Sequence, residues 1–324
     1  MLIKVYVGGL YAKTPFYTNA NDGFSKLLSR SGFDIVENTN EADIFISTDI
    51  HRNDLNLFLD KRISHSTFLL RNEPKIVWPL NYKKAVTKKY GTVIDIGRIN
   101  TSSDFSFNWP QFWPDELPKT PGIRLDEIAI IAGNKVSLVP GELYSLRRKC
   151  ILEIDNIAHF GTSWDSSALK RTKELVYALR TSFRFRILPK LDSTKYWFKK
   201  YNNWLGSPVE KRICLSAYKY SLVIENSADY LSEKLFDAFF SLTIPIYVGP
   251  NVADFGIPAD LVIQCEQSVE AINAGIQKAY GMDYESWCIE VTEWLGQSQT
   301  RENWDGYIIY RRIIEEIKRR AQLI

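Results

Sequence analysis

Short apolar runs recur along the first third of the chain, separated by polar intervals of helical character. LIKVYVGG (2–9), FDIV (33–36), ADIFIST (42–48), STFLLRN (66–72) and TVIDIG (92–97) read as buried strands. The interval NDGFSKLLSRSG (21–32) has helical spacing and a glycine stop. Strands that alternate with helices predict a parallel sheet covered on both faces. An irregular stretch, NTSSDFSFNWPQFWPDELPKTPG (100–122), reads as a linker or long surface loop.

The alternation then restarts. EIAIIAGN (127–134), a helix from Pro140, NIAHFG (156–161), a helix over 168–181 and FRFRILP (183–189) come first. Two further strands, SLVIEN (221–226) and TIPIYVGP (243–250), precede LVIQC (261–265) and two or three closing helices. The fold class expected is α/β, two Rossmann-like domains facing a cleft, with ligands beyond the carboxyl ends of the strands. The expected parts are an N-terminal domain over 1–122, a C-terminal domain over 123–300 and a closing amphipathic helix over 301–324. That helix carries Ile309, Ile313 and Ile317 at helical spacing, with basic residues between. It reads as a helix packed on the body, with peripheral membrane contact as the alternative.

Composition narrows the function classes. A length of 324 residues suits two cores, and a net charge of +3 is too small to argue for a nucleic-acid protein. Four scattered cysteines form no CxxC pair, so reduced thiols in a cytoplasmic protein are expected rather than a disulfide framework or a zinc site. The three histidines are scattered as well, and no apolar stretch reaches membrane-spanning length. The start of the chain has no signal-peptide pattern. Trp109, Trp113, Trp204 and Tyr177 are candidates for sugar stacking, with core or loop packing as the plainer assignment.

Between two apolar runs lies a polar knot, ENSADYLSEK (225–234). Glu225 and Asn226 fall at the carboxyl end of a strand, where such sheets present ligand-binding groups. YLSEKLFDAFFSL then reads as a helix with Ser227 or Asp229 as N-cap and Tyr230, Glu233 and Lys234 in its first turn. A basic first turn suits phosphate, and a carboxylate there suits the vicinal hydroxyls of a ribose. Helix capping accounts for the same Asp and Glu residues without any ligand.

The ordered pattern Ile224-Glu225-Asn226-Ser227, Asp229-Tyr230-Leu231-Ser232-Glu233-Lys234, then Ile244-Pro245 through Gly249-Pro250, resembles the signature of the α1,3/4-fucosyltransferases, glycosyltransferase family 10. Its turn is about two residues shorter than in many members, and Ser232 stands in place of the usual Thr. Weaker echoes are LLRNEPKIVWPLNY (69–82), GNKVSLVPGELYSLRRKCI (133–151) and SALKRTKELVYALR (167–180). The resemblance implies a GT-B type glycosyltransferase that moves L-fucose from GDP-β-L-fucose, with inversion, to a hydroxyl of an oligosaccharide or glycoconjugate acceptor. It implies Glu73 as general base, Arg171 and Lys234 at the diphosphate, Glu233 at the ribose, and Glu225, Asn226 and Tyr230 at or near the sugar. No Asp-x-Asp occurs in the chain, so the expected enzyme has no metal ligand set and no cofactor beyond its donor substrate.

Three rivals stand beside it. Tyr230 and Lys234 fit the Tyr-x-x-x-Lys pair of short-chain dehydrogenases, but the first strand ends in Gly8-Gly9 without the glycine-rich dinucleotide turn. A non-catalytic nucleotide-sugar binder, or a transferase for another GDP-sugar, would carry the same fold.

Overall fold

The computed structural model describes residues 3–10, 24–51, 66–97, 103–118 and 121–321, with single positions at 56 and 59. The chain divides into two compact units. One joins residues 1–113 to 298–324, and the other spans 114–297.

Among the described residues, the first unit runs β1 (Ile3–Gly9), α1 (Phe24–Arg30), β2 (Phe33–Ile35), β3 (Ile44–Thr48), β4 (Thr67–Arg71), α2 (Lys84–Thr87), β5 (Thr92–Ile96) and β6 (Phe105–Phe107). Its sheet has the order β2-β1-β3-β4-β5-β6, and every pairing is parallel. β3 and β4 are buried at every position, as a sheet covered on both faces requires. β6 lies inside the stretch expected to be a linker: Phe105 and Phe107 alternate with Ser106 and add a sixth strand beside β5. Trp109 and Trp113 are buried here, in line with packing rather than stacking on a ligand.

The second unit contains β7 (Leu125–Ile131), α3 (Tyr144–Glu153), β8 (Ile157–Phe160), α4 (Ala168–Phe185), α5 (Lys211–Leu215), β9 (Tyr218–Ile224), α6 (Lys234–Phe240), β10 (Ile244–Val248), β11 (Ile263–Gln264), α7 (Val269–Tyr280) and α8 (Tyr284–Gly296). Its parallel sheet has the order β11-β10-β9-β7-β8. FRFRILP does not form the strand its alternation suggests. α4 runs through Phe185 and closes on Arg186 in the left-handed conformation, φ 55°. There Ile187 N donates to Ser182 O and Arg186 N to Phe183 O, a Schellman cap that satisfies the last carbonyls.

Four helices close the chain rather than two or three. After α7 and α8 come α9 (Ser298–Trp304) and α10 (Gly306–Ala321), which return to the first unit. Gln111 N donates to Trp304 O, and Gly306 N donates to Gln111 O. α10 packs on α1, with Tyr310 against Phe24 and Lys318 Nζ donating to Ser31 O. Ile309, Ile313, Ile314 and Ile317 of the helix are buried. The helix thus spends its apolar face on the protein, which is why it belongs with the first unit. Among the described residues no helix is long and apolar enough to cross a membrane.

Candidate functional site

Both sheets share one topology. In each, the first strand of the unit lies between the second and the third, so the winding reverses between strands one and three. Ligands of such sheets gather outside the carboxyl ends of the strands at that reversal. In the first unit this point lies between β1 and β3, and in the second between β7 and β9.

In the first unit the ends of β1 and β3 touch. Gly9 has φ +98°, and a Cβ there would come within 2.3 Å of Thr48 O and 2.5 Å of Asp49 O, so no larger residue fits. Asp49 follows β3 directly, fully buried, with φ 60°. Its Oδ1 accepts from Asn72 N at 2.9 Å, from Glu73 N at 3.2 Å and from Asn81 Nδ2. Its Oδ2 has no hydrogen-bond partner. Burial pushes the Asp49 carboxyl up to about 7, and the charge of Glu73 adds to the rise. The hydrogen bonds from the Glu73, Asn81 and Asn72 groups oppose it.

Glu73 lies two residues beyond β4, half-buried, and its carbonyl accepts from Tyr82 Oη at 3.0 Å. Asp49 therefore fixes the backbone that carries Glu73. Nearby, Arg71 is buried and paired with Asp95 at 2.6 Å, its guanidinium over the Tyr82 ring. The charges flanking Glu73 are thus not a uniformly solvated face.

In the second unit the knot folds around Glu225, which is fully buried at the end of β9. Glu225 Oε1 accepts from Ser232 N at 2.9 Å, while Oε2 accepts from Ser232 Oγ at 2.7 Å and pairs with Lys234 Nζ at 3.4 Å. These bonds hold 230–232 out of helical conformation, so α6 begins at Lys234 with Glu233 as its N-cap. The expected helix from Tyr230, with Ser227 or Asp229 as cap, is corrected accordingly. Glu225 shapes this loop through Ser232 and Lys234, and Ser227 Oγ donates to Asp229. Tyr230 is buried under the loop.

Three cations converge on the knot. Lys234 Nζ donates to Ser232 Oγ at 2.7 Å and lies 3.8 Å from Glu233. Lys211 of α5 pairs with Glu233 at 3.1 Å. Arg147 of α3, buried, donates to Ile224 O and to Asn226 Oδ1 at 3.0 Å. Burial would raise the Glu233 pKa, but Lys234, Lys211 and a backbone hydrogen bond hold it below the usual carboxylate range. Burial pulls the Arg147 guanidinium down, and the charges of Tyr144, Glu225, Glu233 and Glu142 partly restore it.

The motif's glycine has a steric cause. A Cβ on Gly249 would sit 2.2 Å from Tyr247 Oη and 2.9 Å from Glu225 Cγ. Across the reversal, beyond β7, Asn134 is buried, and neither polar atom of its side chain has a hydrogen-bond partner.

Sequence reasoning missed Arg147, Lys211 and Asp49. Arg147 lies inside the quoted GNKVSLVPGELYSLRRKCI echo, yet nothing local separates it from Arg148, whose guanidinium donates to Lys135 O and Ser193 O. Arg171 is placed differently from the expectation. Its Nη atoms donate to the carbonyls of Trp197, Lys199 and Trp164, work that pins the 197–199 turn to α4. These three bonds engage its Nη groups while Nε has no hydrogen-bond partner, and none of the three partners belongs to the knot. Tyr177 is exposed on α4. Among the described residues, no group of three or more His, Cys, Asp or Glu is placed to hold a metal ion.

No protein-family model and no curated protein matches the sequence. Solved structures do match. An α1,3-fucosyltransferase, crystallised with GDP and with GDP-fucose, is 12% identical with TM-scores of 0.54 and 0.53. With GDP, the match covers 100% of this chain and 91% of the other. An α-glucosyltransferase in complex with UDP-glucose and DNA containing an abasic site is 10% identical with a TM-score of 0.52, covering 97% of this chain and 99% of that one. A UDP-forming α,α-trehalose-phosphate synthase from Burkholderia vietnamiensis is 10% identical with a TM-score of 0.52, covering 87% and 72%. At these identities the likeness is one of fold: two parallel-sheet Rossmann-like domains, the architecture of GT-B glycosyltransferases.

Proposed function

We propose that the protein is a GT-B glycosyltransferase that draws a sugar from a nucleoside diphosphate donor, with GDP-β-L-fucose as the donor and a glycan hydroxyl as the acceptor. The observation that carries this reading is the knot itself. A buried Glu225 organises Lys234 while Arg147 and Lys211 bring two further cations to the same strand end. A diphosphate leaving group needs such positive charge as its bond to the sugar breaks. Arg147 takes the place that sequence reasoning gave to Arg171. Lys234 Nζ contacts the phosphates, Glu233 accepts from the ribose hydroxyls, and Asn226 lies toward the sugar.

Glu73 is the general base. It takes the proton of the acceptor hydroxyl as that oxygen attacks the anomeric carbon, and the product is the inverted, α-linked glycoside. Asp49 positions Glu73 by accepting its backbone N–H. No metal is assigned a role, since the three cations supply the charge at the diphosphate.

The test is a screen of GDP- and UDP-sugars against a small panel of acceptors, with product linkage read by NMR. Turnover of GDP-fucose into an α-linked product is the expected result. Turnover of a different sugar nucleotide alone would correct the donor, and nucleotide binding without any turnover would make the protein a binder on a transferase fold.

A further inference from the structure

α4 buries little of itself. Arg171, Ala178 and Ser182 face the core, while the opposite side stands clear of the protein. Along that side the residues Leu169, Lys173, Val176, Arg180 and Phe183 follow one another at steps of four, three, four and three, which is the spacing of a single helical stripe. All five are exposed, Leu169 at 67% and Phe183 at 70%. Glu174 is the lone acidic residue of the helix, and it is half-buried, off the stripe. At 18 residues the helix is about 27 Å long.

We propose that this face of α4 docks on an anionic lipid bilayer surface, lying in the interface plane. The alternation of apolar and cationic groups on one stripe decides among partners. A helix of another protein would want an unbroken apolar seam, and Lys173 and Arg180 break it. A nucleic acid would satisfy the cations and leave Leu169, Val176 and Phe183 in water. An anionic interface meets both: the apolar side chains enter the boundary of the acyl chains while Lys and Arg reach the headgroups. α10, the other basic amphipathic helix, has its apolar face buried and offers no such stripe. The assignment stands independently of the proposed transferase activity.

The experiment is cosedimentation of the full chain with phosphatidylcholine vesicles, and with vesicles containing phosphatidylglycerol as well, at low and at physiological salt. Binding to the anionic vesicles should be at least about tenfold tighter than to the neutral ones, and should weaken with salt. The triple change Leu169→Ser, Val176→Ser, Phe183→Ser and the double change Lys173→Glu, Arg180→Glu should each cost about tenfold or more in vesicle binding. Both sets are at exposed positions, and unchanged thermal melting checks that the fold is kept. Wild-type vesicle binding in either variant overturns the proposal, as does equal binding to neutral vesicles. Tighter binding of a duplex DNA or RNA probe, lost in the charge variant and kept in the serine variant, would assign the face to nucleic acid. Concentration-dependent self-association abolished by the serine variant would assign it to a second copy of the chain.

Discussion

The two units wind their sheets in the same order, and each places an acidic residue directly after its third strand: Asp49 after β3, Glu225 after β9. The surroundings then part ways. Asp49 is held by the amides of Asn72, Glu73 and Asn81 with no cation among its bonds, and its carboxyl sits at about 7. Around Glu225, Lys234, Lys211 and Arg147 gather, and the neighbouring Glu233 is held below the usual carboxylate range. One address in one topology can therefore keep a proton near neutrality or assemble positive charge. The difference comes from what the adjacent helices and loops supply. The buried acid suits fixing the backbone that carries Glu73, and a cationic site suits an anionic leaving group.

Two substitutions separate these roles. Glu73→Gln should lower transfer by roughly a hundredfold to ten-thousandfold, the usual worth of a positioned base, with GDP affinity intact by calorimetry. Unchanged turnover would remove proton transfer from the first unit's site. Lys234→Ala should do the reverse and weaken GDP binding by about tenfold to a hundredfold, the worth of one charge-assisted contact. Intact affinity would take phosphate contact away from the knot.

A third experiment reads the buried acid directly. The folded Asp49 pKa is raised from 3.8 to about 7, so between those values the folded state binds the proton more tightly than the unfolded chain. Its contribution to stability is thus present below pH 4 and is lost as pH rises toward 7, by at most about 4 kcal/mol. Asp49→Asn keeps the accepting oxygen and abolishes the titration. Thermal melts across this range should show wild type losing stability relative to the variant as pH rises. Parallel curves would mean that Asp49 is ionised throughout.

What could be seen in the sequence follows from how local each feature is. The strands before β6 and the β9–β10 pair were legible because each is a short apolar run bounded by polar residues. The knot was legible as an ordered string, and its glycine is explained by a clash with Tyr247, two residues back. Arg147 and Lys211 were not legible, because their bonds to Asn226 and Glu233 span 79 and 22 residues. Asp49 was hidden for the same reason: its partners Asn72 and Asn81 come from beyond the next strand. FRFR misled by period, since alternation of Phe and Arg says strand until a left-handed Arg186 closes a helix over it. The home of α10 rests on Gln111 pairing with the chain around Asp305, which no local pattern announces.

The smallest expected effect tests the cationic half of the comparison. Lys211 is half-exposed, and its pair with Glu233 at 3.1 Å is partly screened by water. Glu233 is a depressed acid, so its contribution to stability is present above the unfolded value of 4.5 and is lost as pH falls below it. Lys211→Ala should return the Glu233 pKa part of the way toward normal and cost about 0.2–1 kcal/mol at neutral pH. Because Lys234 remains, most of the depression should survive, and acid unfolding should move to slightly higher pH. Monitored by far-ultraviolet circular dichroism, an acid transition that does not move would show that Lys234 alone sets the charge of Glu233. The cationic switch point would then rest on Lys234 and Arg147, without Lys211.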